Sequence, residues 1–318
     1  MPELADMSLF VRAALSGSLS AAGRALGFSP AVASKRLARL EAELGTRLIQ
    51  RTSRRLKLTE EGATYLEFCR SILAQVDAAE VAVGRGRHQP SGTLRVSSPV
   101  ALGRRWVGPT LGRFAAEYPH LSVQLALSDA MIDLLEQGFD CAVRIGHVED
   151  SRLIARRLAD NRRVVCGSPE YLARRGSPRI PADLYEHDCI VMSSGSVTHA
   201  DWTFFDAHGP AKPTGSSATT VRVHGRWVSN SGEQAHDWAL AGLGLERRSI
   251  WDVAQELADG RLIEVLSDWT SEPAPIHVVF PSKSLLPART RLFVDRLVTE
   301  FAQAQRAISA AGARATKD

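Results

Sequence analysis

Cysteine pairs, long apolar runs and export signals are missing from this 318-residue chain. Its four cysteines (Cys69, Cys141, Cys166 and Cys189) form no CxxC pair, which argues against a disulfide framework or a cysteine-based zinc site. No apolar stretch approaches the roughly 20 residues that a membrane-spanning helix needs. The opening MPELADMSLF has acidic residues and no long apolar core, so no secretory signal is predicted. We expect a cytoplasmic protein.

Motifs of common enzymes are also absent. The sequence contains no Walker loop, no HExxH motif and no GxSxG nucleophile elbow. Gly242 and Gly244 lack the third glycine of a dinucleotide-binding loop, and the histidines show no metal-ligand spacing. Cys166, near Ser168, is more typical of a small buried residue than of a nucleophile. We therefore predict no catalytic residues, no metal site and no cofactor.

Positive charge is concentrated near the N-terminus. Residues 1–90 carry 13 basic and 9 acidic residues, whereas residues 91–318 carry 26 of each. Within residues 12–57 there are 10 basic residues against two acidic ones. A solvated charged face would fit this excess, and so would a module that meets the phosphates of nucleic acid.

Hydrophobic periodicity in the first fifty residues predicts three short helices. Ser29 followed by Pro30 is a strong signal for the start of the third helix, and Gly45 is placed to end it. The buried stripe of this helix is expected at Ala33, Leu37, Leu40 and Leu44. The preceding helix, 19–26, is rich in small residues, so the two helices can cross closely as a helix-turn-helix. The small side chains of Ala31 and Ser34 would let the second of them sit deep in the major groove.

A basic hairpin, 48–58, is predicted after the helices, with its turn at Thr52-Ser53. Its tip carries arginines that can reach backbone phosphates or the minor groove. The same pattern fits an ordinary basic hairpin, but the neighbouring helix pair favours contact with DNA. The candidate DNA-binding residues are Ser29, Pro30, Ala31, Ser34, Lys35, Arg39, Arg51, Arg54 and Arg55.

A long linker helix, 59–86, is expected to follow, with Thr59 as its cap. Its apolar positions repeat with the four-three spacing of a coiled-coil seam. The seam consists of Tyr65, Cys69, Ile72, Val76, Ala79 and Val83. It fits dimerisation with a second copy or packing on the chain's own N-terminal domain, 1–63. The segment 87–92, rich in glycine, proline and charge, is the predicted hinge.

The N-terminal run closely resembles the signature of LysR-type transcriptional regulators. The matching positions are Gly17-Ser18, Ser20-Ala21-Ala22, Leu26-Gly27, Ser29, Ser34, Leu40-Glu41, Leu44-Gly45, Leu48, Arg51, Arg55, Leu58-Thr59-Glu60 and Gly62. Three positions depart from the common pattern: Leu19 stands where Phe is frequent, Gly23 where Ala is frequent, and Pro30 where Gln is frequent. The resemblance implies a winged helix-turn-helix and favours dimerisation through the linker helix.

Strands and helices alternate from Thr93 onward, which predicts a parallel sheet covered by helices. Strands are expected at 94–97, 121–127, 141–145, 155–158, 163–166, 189–192, 221–223 and 277–280, and helices at 132–137 and 288–301. The effector domain, 93–305, then divides into one lobe formed by 93–162 with 274–305 and a second formed by 163–273. The tail 306–318 is predicted to be disordered.

Ligand-binding residues are expected where strands end, because open α/β sheets bind ligands at that edge, against helix N-termini. The candidates are Ser98, Pro99, Val100, Ser128, Arg144, Gly146, Ser229 and Asn230. Arg144 can pair with an effector carboxylate or form a salt bridge between the lobes. Arg104 and Arg105 are expected to face solvent or a neighbouring subunit.

The C-terminal segments, among them DLLEQGFDCAVRIGHVEDSRLIARRL, resemble the LysR effector domain, with its two-lobed architecture like that of periplasmic binding proteins. The predicted fold is thus an N-terminal winged helix-turn-helix, mainly α, with a long linker helix and a C-terminal two-lobed α/β domain. The resemblance implies a regulator that binds promoter DNA as a homodimer or homotetramer, senses a small organic acid or aromatic metabolite, and has RNA polymerase as a further partner. Alternatives are a small-molecule-binding protein without catalysis and a DNA-binding protein without ligand control.

Overall fold

The computed structural model describes residues 2–51, 56–82, 90–130, 132–148, 150–194, 197–207, 218–281 and 286–315. The chain divides into two compact units, Met1–Pro90 with Lys283–Arg291 and Ser91–Ser282 with Leu292–Asp318. The division follows Pro90, within the predicted hinge, of which residues 87–89 lie outside the described part. Each unit has its own hydrophobic core.

The smaller unit begins with three helices, α1 (Leu4–Ser16), α2 (Leu19–Ala25) and α3 (Pro30–Leu44). The hydroxyl oxygen of Ser29 accepts a hydrogen bond from the backbone N–H of Val32 at 3.3 Å and so caps α3. Gly45 ends the helix in the left-handed conformation, with φ of 69°. Both ends of α3 therefore lie where the sequence predicts them.

The core of this unit forms where α3 packs on α1 and α2. Ala33, Leu37 and Leu40 are buried as predicted, and they pack among residues that include Leu9 and Phe10 of α1. Leu44 is only partly buried. A Cβ atom at Gly23 would stand 2.8 Å from the Cβ of Ala33, so α2 and α3 cross too closely for a larger residue at this point. The expected close crossing is confirmed.

The hairpin consists of β1 (Ile49–Arg51) and β2 (Leu56–Leu58), paired antiparallel. Its predicted turn residues, Thr52 and Ser53, lie outside the described part. One carboxylate oxygen of Glu41 in α3 accepts hydrogen bonds from the backbone N–H groups of Leu48 and Ile49 at 2.9 and 3.1 Å. This carboxylate therefore fixes the start of the hairpin against α3.

Helix α4 (Glu60–Ala82) follows the hairpin, and the hydroxyl oxygen of Thr59 caps it by accepting a hydrogen bond from the N–H of Gly62 at 2.9 Å. A Cβ atom at Gly62 would stand 2.0 Å from the backbone oxygen of Leu48. The helix can therefore approach the hairpin only because this position lacks a side chain.

The first lobe of the larger unit is a five-stranded sheet in the order β4-β3-β5-β16-β6. Its strands are β3 (Gly92–Ser98), β4 (Leu121–Leu127), β5 (Cys141–Ile145), β6 (Leu153–Ala159) and β16 (Ile276–Pro281). Strands β3, β4 and β5 are parallel, while β16 runs antiparallel to both of its neighbours. The chain thus returns to the first lobe at β16, as predicted.

Helices cover this sheet. A continuous helical segment follows β3 and comprises α5 (Val100–Leu102), a π-helical turn (Gly103–Val107) and α6 (Gly108–Glu117). The final helix, α10 (Ala288–Ala315), packs Phe293 against Phe114 of α6, with ring centroids 5.4 Å apart.

The second lobe holds smaller sheets, and here the prediction of a parallel sheet is wrong for most strands. One sheet pairs β7 (Arg163–Gly167) antiparallel with β13 (Glu246–Ser249) and β14 (Ile263–Val265). A second has the order β12-β8-β9, and a third the order β11-β10-β15. Their strands are β8 (Val191–Ser194), β9 (Val197–Thr198), β10 (Asp201–Asp206), β11 (Thr219–Arg222), β12 (Val228–Ser229) and β15 (Trp269–Thr270).

The helices of the second lobe are α7 (Pro169–Arg175), a 3-10 segment (Pro181–Glu186), α8 (Gly232–Leu240) and α9 (Ile250–Ala258). Only β12 and β8 pair in parallel among its named strands that the structure describes. The alternating pattern located these strands, but their direction depends on pairing between strands distant in sequence, such as β7 with β13 and β14.

Two further predictions are wrong. Residues 132–137 form turns instead of a helix: the Asp133 carboxylate accepts hydrogen bonds from the N–H groups of Leu135 and Glu136 as a helix cap would, but Gly138, with φ of 69°, ends the segment within one turn. Helix α10 continues to Ala315, through most of the predicted disordered tail, since that stretch is rich in alanine, the strongest helix former. None of the helices in the described part of the chain has the length and low charge needed to cross a membrane.

Candidate functional site

The first candidate site is the N-terminal half of α3. Ser29, Pro30, Ala31 and Lys35 are exposed, and Ser34 is half-buried. Exposed small residues continue the stripe of Ala31 and Lys35 one and two turns later, at Ala38 and Ala42. This face lies opposite the buried stripe, so the apolar core presents it rigidly to solvent. Sequence reasoning overlooked Val32, whose side chain is 44% exposed beside these residues.

Arg39 has a different environment from the one predicted. Its Nη2 atom lies 2.5 Å from Oδ2 of Asp6 and 3.0 Å from Oε1 of Glu3, both at the start of α1. Hydrogen bonds to Asp6 and then Glu3 raise the pKa of Arg39. Arg36 contacts the same buried carboxylate at 2.6 Å. The guanidinium of Arg39 therefore joins α3 to α1 in this structure, and its assignment to DNA is weakened accordingly.

The arginines of the hairpin cannot be placed in the same way. Arg51 ends β1, but its side chain is outside the described part, and so are the whole of Arg54 and Arg55. Their contact with DNA stays a prediction.

The predicted dimer seam on α4 needs correction at its N-terminal end. Cys69 is completely buried among Phe10, Leu37 and Leu40 of its own unit, and Tyr65 and Ile72 pack partly against the same cluster. Burial raises the pKa of the Cys69 thiol to about 11. Cys69 is thus a core residue and not available to a partner, because the helix packs on the domain that precedes it. By contrast, Phe68 on another face of α4 is 62% exposed.

The remaining seam positions are less fully described. Val76 is half-buried, the side chain of Ala79 is outside the described part, and Val83 lies wholly outside it. Their part in dimerisation stays a prediction.

The second candidate site lies where the two lobes of the larger unit meet. The N–H of Val100, at the start of α5, donates a hydrogen bond to Oδ1 of Asp129 at 2.9 Å. The N–H of Gly232, at the start of α8, donates to Oδ2 of the same carboxylate, also at 2.9 Å. Asp129 therefore joins the helix N-termini of the two lobes. Ser98, just before this junction, is fully buried, and its hydroxyl has no hydrogen-bond partner among the described residues.

The other predicted hydroxyls are used locally. The Ser128 oxygen accepts a hydrogen bond from the N–H of Ala130 at 3.1 Å, and the Ser229 oxygen accepts one from the N–H of Ser231 at 3.0 Å. Both shape the turns that carry them. Pro99 is half-buried and Asn230 is exposed.

Arg144 is half-buried, and its Nη2 donates a hydrogen bond to the backbone oxygen of Ile132 at 3.0 Å. Burial lowers its pKa. Among the described residues, no carboxylate forms the interlobe salt bridge that was the alternative for Arg144. Gly146 follows β5 with φ of 97°, and its N–H donates to the oxygen of Pro275 at 2.9 Å. These two residues therefore tie the edge of the sheet to neighbouring loops.

Arg105 joins the lobes, contrary to the expectation that it faces solvent or another subunit, whereas Arg104 is 62% exposed, as expected, although it too reaches the second lobe. Nη1 and Nη2 of Arg105 each donate to the Glu256 carboxylate of α9 at 3.1 Å. Arg104 pairs with Glu233 of α8. The side chain of Trp106 donates to the backbone oxygen of Trp251 at 3.2 Å. No local pattern in the sequence indicates these contacts, since their partners lie more than a hundred residues away.

Behind this junction lies a buried charged cluster, which we define as His236, Glu246, Arg248, Asp252 and Glu256. Nδ1 of His236 lies 2.7 Å from Glu246, and Nε2 lies 3.7 Å from Glu256. The Arg248 guanidinium lies 3.3 Å from Asp252 and 3.7 Å from Glu246. All five side chains are at most 10% exposed.

Burial and pairing act against each other in this cluster. Burial lowers the pKa of His236, but its hydrogen bond to Glu246 and the negative charges of Glu246 and Glu256 leave that pKa raised overall. Burial raises the pKa of Asp252 despite the nearby cation of Arg248. The charged groups of this cluster are therefore stabilised by pairing with one another and not by hydration.

Comparison with known families identifies both units. The description "Bacterial regulatory helix-turn-helix protein, lysR family" matches residues 4–63, and "LysR substrate binding domain" matches residues 87–302. The chain belongs to the LysR family. This LysR-type chain is a DNA-binding transcriptional regulator with an effector-binding domain, as its resemblance implied.

Relatives match over nearly the whole length. The HTH-type transcriptional regulator DmlR of Escherichia coli (strain K12) is 35% identical over 303 residues, which cover 95% of this chain and 96% of DmlR. The solved structure of CrgA, a LysR-type transcriptional regulator from Neisseria meningitidis, has a TM-score of 0.60 at 33% identity and covers 93% of this chain and 98% of CrgA. The full-length Vibrio cholerae virulence activator AphB has a TM-score of 0.57 at 26% identity, with coverage of 93% and 99%.

These relatives are regulators, and none is named as an enzyme. In the part of the chain that the structure describes, no group of three or more His, Cys, Asp or Glu side chains is arranged to hold a metal ion.

Proposed function

We propose that this LysR-type regulator reads operator DNA with the exposed face of α3 and senses a small carboxylate-bearing metabolite at the junction of its effector lobes. The observation that carries the first part is the stripe of Ala31, Lys35 and Ala38 opposite a fully apolar core stripe. Its small side chains permit close approach to base edges. Lys35 supplies a cation for a base or phosphate.

Ser29, Pro30 and Ser34 complete the proposed reading face, because they lie at or near the N-terminus of α3. Backbone N–H groups and the positive end of the helix dipole favour phosphate there. Arg51, Arg54 and Arg55 of the hairpin are proposed to contact the phosphate backbone beside it.

The effector proposal rests on the donors that converge at the lobe junction. The N–H groups of Val100 and Gly232 come from opposite lobes and point at one carboxylate. Two helix N-termini that share an anion favour an organic acid over a neutral aromatic effector. Ser98 and Arg144 are proposed as further polar contacts, and Pro99, Ser128, Gly146, Ser229 and Asn230 as the rim.

We further propose that the regulator acts as a homodimer or homotetramer, because a two-fold pair of helix-turn-helix units reads two half-sites. The corrected seam on α4 comprises Phe68, Ile72, Val76, Ala79 and Val83, with the 62% exposed Phe68 in place of the buried Cys69. RNA polymerase is a proposed further partner at the promoter.

Fluorescence anisotropy with promoter DNA tests the DNA-binding part. Lys35→Ala should weaken binding and reduce the slope of log affinity against log salt by about 1, since one phosphate or base contact is lost. Arg179→Ala, which removes one exposed cation from the larger unit, is the charge-matched control and should leave both quantities unchanged. Equal behaviour of the two variants would remove α3 from the interface.

A further inference from the structure

The carboxylate of Asp129 occupies an unusual position for a side chain. It follows β4 in the first lobe, yet one of its oxygens accepts a hydrogen bond from the second lobe, at Gly232. The other oxygen accepts from Val100 of its own lobe. Each distance is 2.9 Å. A single carboxylate thus binds both lobes, as a bridging ligand would.

Both donors stand at the start of helical segments long enough to orient an anion. The segment that begins at Val100 continues without a break to Glu117, and α8 runs from Gly232 to Leu240. The first N–H groups of a helix have no partner within it, and the helix dipole adds positive potential at the same place. The junction therefore presents two converging anion-binding ends.

The guanidinium of Arg248 places a buried cation beside this junction, with Nη1 nearest to the start of α8. The residue is 9% exposed, and its Nε and Nη2 atoms make no hydrogen bond among the described residues. Its carboxylate neighbours, Asp252, Glu246 and Glu233, lie 3.3 to 3.9 Å away, as ion pairs rather than short hydrogen bonds. A buried cation with unused donors is costly unless an acceptor is close.

Arg248 and Asp129 both lie close to Gly232. A Cβ atom at Gly232 would stand 2.1 Å from Nη1 of Arg248 and 3.4 Å from Oδ2 of Asp129. A larger residue at the start of α8 would therefore collide with the guanidinium, while the Asp129 oxygen lies at ordinary contact distance. Asp129 is also among the charges that raise the pKa of Arg248 against the opposing effect of burial.

The side chain of Asp129 can be displaced from the junction. The residue is exposed and lies in the turn after β4, so its side chain can leave the junction without unpacking the core. The donors, in contrast, are fixed by long helices and by a buried strand. An incoming carboxylate would find the same N–H groups and the same guanidinium.

We propose that Asp129 is an internal stand-in for the effector: it occupies the site of the effector carboxylate, bridges the lobes without effector, and is displaced when a small carboxylate binds. This inference rests on the proposed function, since it assigns the same junction to effector binding. It adds the displacement of Asp129, a nearby role for Arg248 and the competition that sets the threshold for response.

Replacement of Asp129 by alanine in the full chain, with acetate as the probe, tests this inference. Thermal unfolding is followed by tryptophan fluorescence, which reports the larger unit because all six tryptophans lie there (Trp106, Trp202, Trp227, Trp238, Trp251 and Trp269). Titration of sodium acetate against sodium chloride at constant ionic strength removes the general effect of salt.

Asp129→Ala should be less stable than wild type without acetate, and acetate should raise its Tm saturably by about 3 °C because ligand binding to the folded state stabilises it. Wild type should respond less, since its own carboxylate competes. Asp237→Ala, which removes an exposed carboxylate from α8, should behave as wild type. An acetate response of Asp129→Ala no larger than that of these two proteins would overturn the inference.

Asp129→Asn keeps the shape of the side chain and serves if the alanine variant does not fold. A neutral amide is the weaker competitor, so this variant should also gain more from acetate than wild type, and an equal gain would again overturn the inference. The test involves neither DNA nor the natural effector. Its failure would leave the proposed function in place, whereas failure of the Lys35 experiment would remove the DNA-binding part alone.

Discussion

The two units of this regulator place their charges in opposite ways. In the N-terminal unit the core of α3 is apolar, and its basic residues lie at the surface. Asp6 is the one buried acidic residue of this unit among the described residues, and it forms salt bridges with the partly exposed Arg36 and Arg39. In the C-terminal unit the buried cluster of His236, Glu246, Arg248, Asp252 and Glu256 lies next to the contact between lobes.

This difference corresponds to two tasks. An apolar, close-packed core holds a recognition helix in one position, which reading a base sequence requires. A buried set of ion pairs gains little over apolar packing and depends on every partner being present. We therefore expect the contact between the lobes to respond to a ligand that alters these pairs, because a ligand shifts an equilibrium toward the state that it binds more tightly.

Among the changes that test this difference between the units, removal of Arg248 should cause the largest loss of stability. Arg248→Met leaves Asp252 and Glu246 buried without their cation, so the free energy of unfolding of the larger unit should fall by about 3–5 kcal/mol. Urea unfolding followed by tryptophan fluorescence measures it, with Arg179→Met at the surface as control. Asp6→Ala in the smaller unit, followed by far-UV circular dichroism because this unit has no tryptophan, should lose less, since its arginine partners regain solvent. A mild effect of Arg248→Met would mean that the cluster does not stabilise the junction.

Gly62→Ala should have the next largest effect, this time in the N-terminal unit. The added Cβ would collide with the backbone oxygen of Leu48, so the free energy of unfolding should fall by about 1–3 kcal/mol. Because this unit has no tryptophan, the loss should appear in the far-UV circular dichroism transition and not in fluorescence. Gly112→Ala in α6, where a Cβ meets open space, should instead be neutral or slightly stabilising. Equal losses in the two variants would contradict the packing described here.

A smaller effect is expected from pH through His236. The pKa of His236 is raised in the folded state, so its contribution to stability is fully present below about pH 6.5 and is lost as pH rises through the folded pKa. His187 acts in the opposite direction, because burial lowers its pKa.

The comparison of wild type with His236→Gln isolates the contribution of His236 to this pH dependence. Among the described residues, three charged groups face His236: Glu246 on β13, Glu256 on α9 and the guanidinium of Arg248. The stability advantage of wild type, from urea unfolding at several pH values between 6 and 8, should shrink as pH rises. A constant or growing advantage would show that His236 is not held as a cation.

The sequence predicted what local signals determine. Ser29-Pro30 and Gly45 placed both ends of α3, and alternation placed β4 and β5 at their observed residues. The family signature identified both domains. It also contained Glu41 and Gly62, whose contacts with residues 48 and 49 explain why those residue types occur there.

Long-range pairing was beyond the reach of these signals. The partner of Arg105 is Glu256, and that of Arg39 is Asp6, which no periodicity relates. Cys69 fits a coiled-coil spacing and a core position equally well, so only tertiary packing assigns it to the core. Asp129 followed a predicted strand next to the candidate Ser128, but its bridging role depends on Gly232 in the other lobe.

Selection of bound duplexes from a random DNA library by the full-length protein tests the central claim most directly. Wild type should enrich a two-fold symmetric sequence, because two recognition helices read two half-sites. Ser34→Ala should enrich a sequence that differs at one position in each half-site, since Ser34 belongs to the reading face while the phosphate contacts remain. Enrichment of the same sequence by both proteins, or of none by wild type, would contradict the assignment of α3 as the element that reads DNA.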